Sequence, residues 1–87
     1  MSNETQDFEQ AAIAVKALAE RPDDATMLQL YALYKQGSAG DVQGDKPAFF
    51  NFVASAKYEA WEKLAGTSQE AAREQYVELV RKLGGNV

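Results

Sequence analysis

The sequence predicts an all-α protein, four amphipathic helices packed on one core. Three observations point there. Apolar residues recur with a helical period of about 3.6 residues, no stretch alternates apolar and polar residues as a half-buried strand does, and residues that start or stop helices punctuate the chain. Internal repeats are absent.

From Asp7 to about Ala19, the stripe Phe8, Ala11, Ala12, Val15 and Leu18 lies on a strongly helix-forming background. Pro22 ends this helix, because the residue before a proline is pushed out of the α region. Asp23 or Asp24 then offers a capping carboxylate suited to the positive end of a helix dipole. The second helix carries Met27, Leu30, Tyr31 and Tyr34 on one face and is expected to fray near Gly37. Residues 37–47 are dense in Gly, Asp and Pro and read as a loop, since neither half of so short a chain could keep its own core.

Phe49, Phe50, Phe52, Val53, Ala56, Ala60, Trp61 and Leu64 carry the main aromatic mass and read as an irregular approach into a third helix, its end marked by Gly66. Trp61 reads as core. Thr67, with Glu70 three residues later, predicts a capping box at the start of the fourth helix. That helix turns Ala72, Tyr76, Val80 and Leu83 inward and stops at Gly84 and Gly85.

Eighty-seven residues make a single domain, residues 1–87. The chain has no Cys and no His, which excludes a disulfide scaffold, a zinc finger, a thiol nucleophile and the usual general base. No Ser has a His partner, so a hydrolase triad is absent and no catalytic residue is expected. Gly40 to Lys46 lacks both the Gly-Lys-Ser/Thr ending of a P-loop and the acidic spacing of an EF-hand, so no metal or cofactor is expected. Nine Lys plus Arg against thirteen Asp plus Glu give a net charge of −4, which argues against nucleic acid and an anionic membrane surface as partners. Without a polar-to-apolar leader or a spanning segment, the expectation is a soluble cytoplasmic protein with no stable membrane insertion.

The most informative stretch is Leu30 to Gln36. Helical spacing makes Tyr31, Tyr34 and Lys35 neighbours at i, i+3 and i+4. Rings that stack, phenolic donors and a fixed cation suit a nucleotide with its phosphates. Lys16 and Lys57 are the other candidate cations for an anionic ligand, gathered against an unfavourable overall field.

Tyr34-Lys35-Gln36 continues into Gly40-Asp41 and Pro47, then Lys57, Ala60-Trp61, Leu64-Ala65-Gly66-Thr67-Ser68 and Tyr76, preceded by Lys16-x-Leu18-x-x-x-Pro22. In type, order and spacing, from Phe8 to Leu83, the chain resembles the acyl-CoA-binding protein family. The resemblance implies an up-down-down-up four-helix bundle. It implies that Tyr31, Lys35 and Lys57 meet the ribose 3′-phosphate of CoA, that Tyr34 packs near the adenine, that Tyr76 contacts the ligand, and that Lys16 sits near the nucleotide end. Ala12, Met27 and Leu28 stand where the family lines the acyl groove. Two departures stand out: Val53 replaces a frequent Lys near the phosphates, and Tyr58 replaces a frequent Trp.

The reading is therefore a monomeric carrier and pool former for medium- to long-chain fatty acyl-CoA esters, not an enzyme, exchanging ligand with donor and acceptor enzymes of acyl-CoA metabolism. The alternatives are a helical protein-interaction module and a general adenine-nucleotide binder.

Overall fold

The computed structural model describes residues 4–87, and residues 1–3 lie outside the described residues. Four α-helices form, α1 (Glu4–Ala14), α2 (Asp24–Ala39), α3 (Phe52–Glu62) and α4 (Gln69–Lys82), and a 3-10 turn at Val15–Ala17 extends α1. There is no strand among the described residues. The first helix begins earlier than Asp7 and tightens before Ala19.

Each start has a local cause. Asp23 caps α2, its carboxylate accepting the Thr26 N–H at 2.8 Å. Asn51 caps α3 through the Ala54 N–H. The cap of α4 is Ser68, whose hydroxyl accepts the Ala71 N–H at 3.0 Å, one residue past the expected Thr67. Thr67 is already committed to the preceding turn: its N–H bonds to Leu64 O and its carbonyl accepts the Gln36 side chain. The Thr67–Glu70 capping box is therefore not formed.

Gly37 does not end α2 either. It is buried inside the helix, where a Cβ would meet Arg73 Cγ at 3.0 Å and the Phe8 ring at 3.2 Å. Its role is close packing against α1 and α4. The helix runs on to Ala39 and stops at Gly40, which takes φ +85°, a value that favours glycine.

The buried cluster comprises Phe8 and Ala11 of α1, Leu30 and Leu33 of α2, and Ala72, Tyr76, Val77 and Val80 of α4. These residues sit at helical spacing on their own elements, which makes the core a three-helix contact. By contrast, α3 has no buried residue. It lies on α2 through small side chains, and its aromatic approach faces outward. The expectation that Trp61 belongs to the core is corrected: it is half-buried at the α2–α3 seam, tied there by polar bonds.

Helix directions follow from which ends meet. The C-terminal turns of α2 and α3 meet through Gln36 and Trp61, while Met27 and Leu28 face Val53 and Ala56 near their N-terminal ends. Hence α2 and α3 run parallel, and the loop at residues 40–51 makes the return. Arg73 near the start of α4 donates to Gly37 O at 2.8 Å near the end of α2, so those helices are antiparallel. Phe8 meets Tyr76, and Ala14 shares a cleft with Gly84, so α1 and α4 run the same way. The arrangement is up-down-down-up.

Candidate ligand site

The face of α2 that does not enter the core is where the tyrosines project. Leu30 and Leu33 turn inward, leaving Met27, Tyr31 and Tyr34 on the adjoining surface. Two cavities open along it. One, of about 390 Å³, is walled by Ala12 and Lys16 from the first helix and its 3-10 extension, by Tyr31 and Tyr34 from α2, and by Tyr76 from α4. The other, of about 600 Å³, lies between the N-terminal halves of α2 and α3 and includes Leu28, Phe52, Val53, Ala56 and Lys57. Met27 and Tyr31 wall both. The cavities are therefore neighbours across one methionine and one phenol ring.

Tyr34 and Tyr76 line the first cavity, and Phe8 packs behind them. The Phe8 and Tyr34 rings stack at 5.3 Å, Phe8 meets Tyr76 edge-on at 5.2 Å, and Tyr34 and Tyr76 lie 5.8 Å apart. Such a mutually packed set holds each ring in a fixed orientation, available as a flat platform. Tyr76 is only 4% exposed, and burial, with the nearby Tyr34 adding to it, pushes its phenol above its ordinary value. It remains a neutral O–H donor across the working pH range.

The cations are placed differently from one another. Lys57 Nζ stands 5.3 Å from the centre of the Tyr31 ring, at the junction of the cavities. That contact spans α2 and α3 and exists because the helices are parallel. Lys16 borders the aromatic cavity from the first helix's end. Lys35 Nζ sits 5.1 Å from the Trp61 ring centre and lines neither of these two cavities. Cation–π contacts of this kind orient an ammonium while leaving its N–H donors free to meet an anion.

Behind Lys35 and Trp61 lies a polar network. Gln36 is fully buried, and its amide donates to Asp41 Oδ1 at 2.7 Å and Thr67 O at 2.8 Å. Its carbonyl accepts the Trp61 indole N–H at 3.1 Å, which also reaches Gly40 O at 2.8 Å. Asp41 accepts the Gly66 N–H as well. The Gln36 and Gly66 donors hold the Asp41 carboxyl below its ordinary value. The network fixes the C-terminal end of α3 against α2, and with it the ring on which Lys35 rests.

Of the residues expected at a site, Ala12, Lys16, Met27, Leu28, Tyr31, Tyr34, Lys57 and Tyr76 are thus gathered around two adjoining cavities. Ala12 opens on the aromatic cavity, whereas Leu28 lines the apolar one; Met27 and Tyr31 are common to both. Sequence reasoning missed Phe8 as the ring that backs Tyr34 and Tyr76, and Arg21 as a further bordering cation. The first reads as an ordinary member of a helical stripe. Arg21, next to Pro22, carries a charge signal but no periodicity.

A small helical domain with an aromatic, cation-bordered cavity joined to an apolar one defines a class of protein suited to hold an amphipathic anion. Comparison with known proteins narrows the class. Residues 5–80 match the family model described as acyl CoA binding protein, and the chain belongs to that family. It is 47% identical over 76 residues to the acyl-CoA-binding protein of Saccharomyces cerevisiae, covering 87% of each chain. It is also 44% identical to a segment of the enoyl-CoA delta isomerase 2 of Rattus norvegicus, covering 93% of this chain but 21% of that one. Among solved structures, the acyl-CoA-binding protein 2 of Oryza sativa superposes with a TM-score of 0.89 at 33% identity, over 93% of this chain and 90% of the other.

Proposed function

We propose that the protein is a single-domain, monomeric, non-catalytic carrier that binds medium- to long-chain fatty acyl-CoA esters one to one in the cytoplasm, passing them between the enzymes that make and use them. The observation that carries this reading is the Lys57–Tyr31 contact at the junction of an aromatic and an apolar cavity. A CoA thioester has matching parts in matching order: a base, a sugar-linked phosphate, and an apolar chain.

Tyr31 and Lys57 supply donors to the 3′-phosphate, and Lys35, one helical turn on from Tyr31, reaches the same anion from its seat on Trp61. Tyr34 offers the adenine a ring already held by Phe8 and Tyr76. Tyr76 gives a neutral donor from the floor, and Lys16 adds positive charge at the nucleotide end. Met27, Leu28, Val53 and Ala56 cover the acyl chain. Each buried methylene contributes about 0.8 kcal/mol before the entropy of ordering the chain, so tail length governs affinity. Among the described residues no helix is long and apolar enough to cross a membrane.

The test separates binding from folding. Isothermal titration of palmitoyl-CoA gives saturable one-to-one heat with the wild-type protein. A charge-assisted hydrogen bond is worth about 1.5–3 kcal/mol, so Lys57→Ala and Lys35→Ala each weaken the affinity by roughly ten- to a hundredfold. Neither cation touches the buried cluster, so the thermal midpoint stays nearly unchanged. No saturable heat, or a stability loss as large as the affinity loss, contradicts the proposal.

A further inference from the structure

Seven large hydrophobic side chains stand exposed among the described residues, and four of them fall within residues 49–53. Phe49 is 86% exposed, Phe50 70%, Phe52 78% and Val53 67%. The Phe49 and Phe50 rings pack edge-on against each other at 5.8 Å rather than on the core. A cluster of three phenylalanines in water is costly, and soluble chains seldom keep one without a partner for it.

Two further observations say what that partner is. First, Phe52 and Val53 also wall the apolar cavity, whereas Phe49 and Phe50 do not. The patch therefore continues outward from the mouth of that cavity, and a chain seated within would leave the outer rings in water. Second, residues 47–56 contain no charged side chain in a protein one quarter of whose residues are charged. Of the two flanking cations, Lys46 is paired with Glu59 at 2.8 Å and Lys57 is turned to the Tyr31 ring at 5.3 Å, on the cavity side of the patch. An uncharged aromatic edge on an acidic protein suits a neutral lipid interface, where rings settle at headgroup level, and does not suit an anionic one.

We infer that Phe49 and Phe50 dock the protein reversibly on zwitterionic lipid bilayers, with the mouth of the apolar cavity turned toward the lipid. This rests on the acyl-CoA reading for its purpose: an acyl chain then passes between bilayer and cavity along a continuous apolar path over Phe52 and Val53. Contact is made by shallow burial of rings without a spanning segment, so the attachment is weak and readily released.

The experiment uses ligand-free protein and vesicles of pure phosphatidylcholine in a flotation assay. Wild-type protein floats with the vesicles, and the double substitution Phe49→Ser and Phe50→Ser lowers its partition by at least about tenfold, the equivalent of roughly 1.4 kcal/mol. Both side chains lie outside the core, so the variant folds, and its affinity for palmitoyl-CoA in vesicle-free buffer equals that of the wild type. Adding phosphatidylserine to the vesicles does not strengthen attachment. No flotation of the wild type, or equal flotation of the variant, overturns the inference. Loss of palmitoyl-CoA affinity in the variant overturns it too, by assigning the rings to the ligand site. A concentration-dependent dimer in sedimentation velocity that the double substitution abolishes overturns it in favour of a self-association surface. Flotation by wild-type protein that gives no heat with palmitoyl-CoA supports the lipid contact while refuting the acyl-CoA reading, so the two fail separately.

Discussion

Replacing Gln36 by Leu tests how α3 is held, because that helix contributes nothing to the buried cluster and depends on its seam with α2. Leucine is close to glutamine in size, so the change removes polar bonds without opening a large cavity. Three bonds are lost: two donated by the amide, to Asp41 and Thr67, and one accepted from Trp61. At about 0.5–1.5 kcal/mol net each they sum to roughly 3 kcal/mol. Two effects reduce the loss. The indole N–H keeps its bond to Gly40 O, and a buried leucine recovers part of the difference through apolar burial. A net cost of about 2 kcal/mol remains, and for a domain of this size that lowers the thermal midpoint by roughly 8–16 °C. Circular dichroism at 222 nm on heating, with urea unfolding for the free energy, measures it. A midpoint within about 2 °C of wild type would refute the assignment of Gln36 as the tie between α3 and the bundle.

Two further outcomes are expected. Gly37→Ala gains up to about 1 kcal/mol of helix propensity but forces a methyl against Arg73 and the Phe8 ring, which its stacking on Tyr34 and edge-on contact with Tyr76 hold in place. Overpacking of this kind costs about 1–3 kcal/mol, so the variant is less stable in urea by roughly 1 kcal/mol rather than more stable. The raised phenol of Tyr76 gives an alkaline dependence: between the ordinary value of 10.0 and its higher folded value, the unfolded chain has lost this proton and the folded one has not. Stability contributed by Tyr76 is therefore fully present below about pH 10 and lost as pH rises above it. Unfolding curves at rising pH fall less steeply for Tyr76→Phe than for wild type; parallel curves would show that burial does not shift this group.

What sequence reveals here divides along the line between local and distant causes. The helical stripes around Phe8, Leu30 and Tyr76 and the cap at Asp23 depend on residues within a turn or two, and all are legible. Gly37 misleads because a glycine near a helix end suggests termination, while its actual cause is the approach of Arg73 and Phe8 from two other helices. The cap moved from Thr67 to Ser68 because the Thr67 carbonyl answers Gln36, a residue 31 positions away. The outward stance of Phe49, Phe50 and Phe52 is invisible to composition, since three phenylalanines in ten residues look like core. For the candidate site, the Tyr31–Tyr34 pair is a property of one helix and can be read directly, whereas the seat of Lys35 on Trp61, outside both cavities, depends on where α3 lies. The pairing of Tyr31 with Lys57 needs α2 and α3 to run parallel, which periodicity does not specify and the family resemblance does.

The central claim is that the cations beside Tyr31 recognise one phosphate on a nucleotide whose apolar tail lies in the adjoining cavity. Paired titrations of palmitoyl-CoA and 3′-dephospho-palmitoyl-CoA, in wild type and Lys57→Ala, address it most directly. The account predicts that removing the phosphate weakens wild-type binding by at least about tenfold and that the variant discriminates far less between the two ligands. Equal affinity of the wild-type protein for both ligands would contradict it.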